Sequence, residues 1–226
     1  MGLRAKEVNV RSSMAQKRSD WIARLYLWAC ERLYLELAGY YDAVSWIVSG
    51  GYWRRWQSGV WEEVAGHDVL ELGFGTGELL IQGGRRKLAM VGLDRSPAML
   101  DVARRRARRV KVPTHVVLGD GRALPFDDGR FDTVMATFPA GDILEPVTLL
   151  EVRRVLRPGG RVVILGLWVA LDLGVFGRIL PVFYGRLSKE VQATIAARVV
   201  AAGFVPRWVE QKAGRFTVGM LVAERK

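Results

Sequence analysis

The residues best placed to do chemistry are three glycines and three carboxylates. In VLELGFGTG, residues 69–77, an apolar run ends around Glu71, and Gly73, Gly75 and Gly77 follow at every second position. Without Cβ atoms such a loop turns tightly and lets its backbone approach a ligand. A dinucleotide loop would read G-x-G-x-x-G. Here the third glycine comes one position early, and Glu78 stands where it would fall. The neighbours are therefore needed to choose the ligand. Asp94 closes the next strand-like run, where a carboxylate can accept both hydroxyls of a ribose. Gly119-Asp120 closes the third run, and an acid there can accept from an adenine amino group. Sites in open α/β sheets lie at the C-terminal strand ends, so Glu71, Asp94 and Asp120 are expected to converge. The simpler role of each is to cap the helix that follows; three in register with the glycine loop favour a site.

The elements that must position these groups alternate. Strand-like runs fall at 68–72, 88–93, 114–118, 131–136 and 161–168, with helical patterns near 77–83, 96–110, 143–156 and 188–202. This alternation predicts a mostly parallel sheet covered on both faces. A run from Gly203 to Glu210, a turn at Ala213-Gly214 and a run over 215–224 predict a closing antiparallel hairpin. Ahead of the sheet, residues 1–19 read as a basic lead-in. An amphipathic helix is expected from Asp20 to about Ala38, with Gly39 stopping it. Six of the eight tryptophans lie between Trp21 and Trp61. The expected division is a helical cap over 1–60 and a sheet domain over 61–226.

Composition narrows the function classes. The 226 residues are 50% hydrophobic and 25% charged, enough for one packed core and unlike a disordered chain. One cysteine, Cys30, and two histidines leave no disulfide framework and no expected metal centre; a reducing, cytoplasmic setting fits best. His67 precedes the first strand-like run and His115 begins the third, so both are expected at the sheet edge opposite the site, and neither is a good base candidate. The longest nearly uncharged run, 162–177, contains Asp172 and is shorter than the roughly 20 residues needed to span a bilayer. Net charge is +11, and residues 81–115 hold ten basic groups against Asp94 and Asp101. Such a patch suits an anionic partner, or is a solvated helix face.

Taken together, VLELGFGTG, GLDRSPAML (92–100), GDGRALPFDDGRFDTVMA (119–136) and EVRRVLRPGGRVVIL (151–165) resemble the class I S-adenosylmethionine-dependent methyltransferases. They are similar to the small-molecule branch that holds quinone-biosynthesis C-methyltransferases and phospholipid N-methyltransferases. The resemblance covers about residues 40–168, and 169–226 by topology only. It implies a Rossmann-like, doubly wound, seven-stranded sheet and S-adenosylmethionine as cofactor. By position it implies that Gly73, Phe74, Gly75 and Gly77 lie under the methionine part, with Glu71 supporting the loop and the amino group. Asp94 would hold the ribose, Arg95 and Ser96 would lie beside the adenine, and Asp120 with the Gly121 backbone would meet the adenine edge. Thr137 and Phe138 would face the methyl group and acceptor. Phe74 replaces the family's usual small residue or cysteine, and Pro158-Gly159-Gly160 is given a structural turn.

For the acceptor, the tryptophan-rich segment and the apolar stretch from Leu167 to Phe176 suggest a hydrophobic small molecule or lipid headgroup, with peripheral contact at an anionic membrane. Tyr40, Tyr41, Asp142 and Tyr184 are the polar groups expected near it, with Tyr41 and Asp142 the candidates for proton removal. Nucleic acid is the weaker alternative. The basic patch favours it, but TFPAG (137–141) stands where base-amino methyltransferases carry an Asn-Pro-Pro-Tyr-like grip. A cofactor-binding protein without catalysis is the third reading.

Overall fold

The computed structural model describes residues 41–139, 141–171 and 185–226. The expected helix over 20–38, Tyr40, Tyr184 and the apolar stretch from Asp172 to Phe176 lie outside the described residues. Two short helices, α1 (Tyr41–Val48) and α2 (Trp53–Gln57), and a 3-10 turn (Ser58–Glu62) lead into alternating strands and helices. These are β1 (Asp68–Leu72), α3 (Glu78–Arg85), β2 (Ala89–Asp94), α4 (Pro97–Arg109), β3 (His115–Leu118) and β4 (Phe131–Thr137). After a 3-10 turn (Gly141–Leu144) come α5 (Pro146–Val155), β5 (Leu156–Leu171), α6 (Lys189–Ala201), β6 (Phe204–Ala213) and β7 (Phe216–Arg225). The seven strands form one sheet in the order β3-β2-β1-β4-β5-β7-β6. The first five strands are parallel, and β7 runs antiparallel to both β5 and β6.

Both faces are buried because apolar residues alternate between two cores. Leu70, Val134, Ala136, Val162, Ile164 and Leu221 face one core with α5 and α6. Val69, Met135, Val163, Leu165, Met220 and Val222 face the other with α3 and α4. α4 starts at Ser96, whose Oγ accepts from Met99 N at 3.3 Å, and Pro97 pre-sets the first turn. It buries Met99, Leu100, Ala103 and Ala107 on one stripe, which leaves Arg104, Arg105, Arg108 and Arg109 in solvent. Trp56 and Val60 are buried in the same core as the strand residues Val69, Met135 and Val163.

β5 is longer than the strand expected over 161–168. Leu156 pairs with Phe131 and Arg161 with Thr133, so Pro158-Gly159-Gly160 is taken up in a register shift within the strand. A second shift lies between Leu165 and Trp168, after which pairing with β7 continues to Leu171. No helix among the described residues is long and apolar enough to cross a membrane.

The strand-start edge is stapled by charge. Arg157 Nη2 donates to Asp68 Oδ2 at 2.8 Å and its Nη1 pairs with Asp132. Asp132 also accepts from the N–H groups of His67 and Asp68. Arg157 holds Asp68 below its ordinary pKa. Partial burial pushes Asp132 up, but the backbone donors and Arg157 bring it down on balance. Depressed carboxylates stabilise the fold above the unfolded value near 3.8 and lose that contribution as pH falls through the folded one. Arg157→Met is therefore expected to lower the melting temperature at neutral pH, with the gap to wild type closing in acid. Melting curves across the acid range check this.

Candidate functional site

β1 lies between β2 and β4, so its C-terminal end delivers the glycine loop to the middle of the sheet edge. Gly73, Gly75 and Gly77 all have positive φ, at 69°, 53° and 76°. A Cβ added at Gly73 or Gly75 would meet nothing within 4 Å, whereas one at Gly77 would lie 2.8 Å from Ala103 Cβ. The first two glycines thus bare the backbone to open space, and the third lets α3 start against α4. Phe74 sends its ring down into the core, filling the space above Gly92, so only its backbone stays in the loop. Arg106 braces the loop's far end, donating to Thr76 Oγ1 and Glu78 Oε2, each at 2.7 Å.

Two of the three acids meet at this loop. Asp94 is buried and accepts from Gly75 N and Ser96 N, each at 2.9 Å, which fixes loop and strand end together. Glu71 is only 2% exposed, and its Oε2 has no hydrogen-bond partner. Burial, and then the charge of Asp94, pushes the Glu71 carboxyl well above the usual carboxylate range. An unpartnered buried carboxyl beside an open glycine backbone suits a ligand bringing a cationic amino group. Asp120 lies two residues past β3 and is gripped by Arg122, from N and Nε at 2.9 Å and Nη2 at 2.6 Å. That grip lowers its pKa to about 2, so it is an ionised acceptor. Gly121 adjoins α5, where the buried Thr148 Oγ1 has no partner.

β4 ends at Thr137, and Phe138 follows in a left-handed conformation, φ 49°, its N–H donating to Leu165 O at 2.7 Å. Strain of this kind in a bulky residue collects at functional sites. The Phe138 ring lies 4.5 Å from that of Trp53 and 6.0 Å from that of Trp56, and Trp56 in turn lies 4.9 Å from Phe216. Sequence reasoning found Phe138 but missed this wall, whose members come from α2, the end of β4 and the start of β7. Asp142, on the turn after β4, faces Arg95, after β2, at 3.7 Å and is 39% exposed. The two candidates thus meet across the end of β1. Tyr41 begins α1, and its side chain lies outside the described residues.

The histidines begin strand-side segments away from this edge, His67 just before β1 and His115 at the first position of β3. The basic groups of 81–115 divide. Arg95 stands at the site edge, while Arg85, Arg86 and Lys87 lie at or just past the end of α3, and Arg108, Arg109 and Lys111 at or just past the end of α4, towards the strand starts. A strand of nucleic acid held there would lie at the wrong end of the sheet for the glycine loop.

A family model described as a methyltransferase domain matches residues 69–160. The demethylmenaquinone methyltransferase of Thermus thermophilus is 33% identical over 184 residues, covering 79% of this chain and 83% of the relative. That of Deinococcus radiodurans is 29% identical over 187 residues, covering 80% and 77%. Among solved structures, a Pyrococcus horikoshii protein superposes with a TM-score of 0.57 at 21% identity, covering 86% of this chain and 96% of the other.

Proposed function

Because the chain belongs to the class I S-adenosylmethionine-dependent methyltransferases and is similar to their quinone-biosynthesis members, we propose that its acceptor is an apolar small molecule or lipid headgroup, methylated by in-line displacement. The relatives are named for demethylmenaquinone, which makes a reduced demethylated naphthoquinone the first acceptor to try. The bound cofactor supplies a methyl group already activated on a sulfonium sulfur, so positioning in a dry site is the main demand on the protein.

In this reading, Glu71 accepts from the cofactor's amino group and the bare backbone at Gly73 and Gly75 lies along its methionine part. Asp94 accepts from the ribose hydroxyls while holding Gly75 and Ser96, Arg95 flanks the adenine, and Asp120 accepts at the adenine edge beside Gly121. Thr137 and Phe138 face the acceptor. Tyr41 and Asp142 are the proposed groups for taking the acceptor's proton. The observation that carries the acceptor class is the pair of partly buried rings, Trp53 and Phe138, next to the end of β4, backed by the buried Trp56 and Phe216.

Two experiments test this. Mass spectrometry of acceptor pools should find methyl uptake by the reduced naphthoquinone or by a phospholipid amine, and none by RNA; uptake by RNA alone would remove the proposed acceptor class. Gly166→Ala probes the wall, because Gly166 has φ 85° and an added Cβ would collide with the Phe138 ring. The variant is expected to raise the acceptor KM by about tenfold, the cost of displacing one apolar contact, with cofactor affinity unchanged. Equal loss of cofactor affinity would place Phe138 elsewhere in the site.

A further inference from the structure

The two most exposed large apolar side chains among the described residues are neighbours in α1: Trp46 at 63% and Ile47 at 69%. Single exposed aliphatics need no explanation, but an adjacent Trp-Ile pair in solvent does. Its surroundings are cationic. From Ala43 to Trp61 the sequence carries Arg54 and Arg55 and no carboxylate. The Trp46 indole lies over Gly51, 3.2 Å from an added Cβ, and the next residue, Tyr52, lays its ring against Gly214 in the β6–β7 turn. That turn brings exposed Lys212 and Arg215 to the same end of the molecule. Arg54 reaches Glu78 at 3.6 Å with its side chain 75% exposed; Arg55, Lys212 and Arg215 have no ion-pair partner among the described residues.

This end is also the acceptor end. Phe216, just after the turn, pairs with Leu171 at the C-terminal end of β5. Trp53, one residue past Tyr52, makes the 4.5 Å contact with Phe138.

We propose that this surface docks the protein on an anionic phospholipid bilayer, with Trp46 and Ile47 at headgroup depth and Arg54, Arg55, Lys212 and Arg215 over the acidic headgroups. Indole rings favour the membrane–water boundary, and basic groups around an apolar tip add attraction to anionic lipid. A nucleic acid would stack on Trp46 but has no use for Ile47. Docking itself stands on the surface alone. Its use, drawing an apolar acceptor from the bilayer along Tyr52 and Trp53 to Phe138, rests on the acceptor reading above.

Flotation of the full chain with phosphatidylcholine vesicles, with and without phosphatidylglycerol, tests the proposal. The wild type is expected to float with the anionic vesicles, and less so as salt rises. Trp46→Ser/Ile47→Ser should lower partition by at least about tenfold, and Arg55→Glu/Arg215→Glu by about fivefold per site or more. Both variants should keep the wild-type affinity for S-adenosylhomocysteine, which shows that they fold. A wild type that never floats overturns the proposal, as does flotation untouched by Trp46→Ser/Ile47→Ser. So does flotation lost only in Arg104→Glu/Arg108→Glu, which would move the contact to α4, or capture by RNA in place of vesicles. A wild type that floats yet methylates no apolar acceptor keeps the docking surface and removes the acceptor reading.

Discussion

Glu71→Gln is expected to weaken S-adenosylmethionine binding by roughly a hundredfold or more, the usual cost of removing one member of a buried, hydrogen-bonded charge pair. The same change should leave the cofactor-free protein more stable at neutral pH. Burial first, and the Asp94 charge second, raise the Glu71 pKa well above 4.5. Between the unfolded and folded values the native state holds a proton that the unfolded chain has lost, so wild-type stability falls as pH rises through that window. A glutamine has no proton to lose, and its melting temperature should show no such fall. The same linkage acts on binding. A cationic amino group beside Glu71 favours the ionised carboxylate, so cofactor uptake releases a proton below the raised pKa, and affinity increases with pH. Calorimetry in two buffers of different ionisation enthalpy reads that proton directly. A Glu71→Gln protein with wild-type affinity and no lost proton release would assign Glu71 a packing role only.

Asp94→Ala should be as damaging to binding and, unlike Glu71→Gln, also damaging to the fold. Two hydrogen bonds from ribose hydroxyls to a carboxylate are worth about 3–6 kcal/mol together, a loss of roughly a hundredfold to ten-thousandfold in affinity. The variant also strands the Gly75 and Ser96 N–H groups, which Asp94 holds at 2.9 Å in a buried setting. Each stranded donor costs about 1–3 kcal/mol, so the melting temperature should fall clearly. Asp94→Asn separates the two effects with Glu71. It removes the charge that helps raise the Glu71 pKa, and should therefore move the pH dependence of cofactor binding to lower pH. Denaturant melts and calorimetric titrations of the single and double variants check the coupling. Additive losses would mean that the two acids do not sense each other.

The candidate cofactor side is legible in the sequence because its signals are local. Glu71 and Asp94 sit at or next to a strand end, the glycines follow the first of those ends directly, and alternating apolar runs locate both ends. The proposed acceptor side is not. Its aromatic cluster joins Trp53 to Phe138 and Trp56 to Phe216, pairs widely separated in sequence, and no spacing rule links them. Nor does any propensity mark Phe138 for a left-handed backbone; Gly166, which makes room for its ring, reads as an ordinary strand glycine. Arg106 was one more member of a basic run until packing of α4 brought it to Thr76 and Glu78. β5 shows another limit. The strand-like run is expected over 161–168, but backbone pairing carries the strand back to Leu156 beside β4 and on to Leu171 beside β7, through two register shifts. Arg95 and Asp142 were each placed near the site for separate reasons, and their pairing across the end of β1 is a tertiary fact.

In the proposed function, the glycine loop, Glu71 and Asp94 form one cofactor site. Calorimetric titration of the full chain with S-adenosylmethionine and S-adenosylhomocysteine, alongside Asp94→Ala, tests it most directly. Saturable binding of both ligands at one site in the micromolar range, lost in the variant, is the expected result. A wild type that melts cooperatively yet takes up neither ligand would mean that the glycine loop, Glu71 and Asp94 do not form that site.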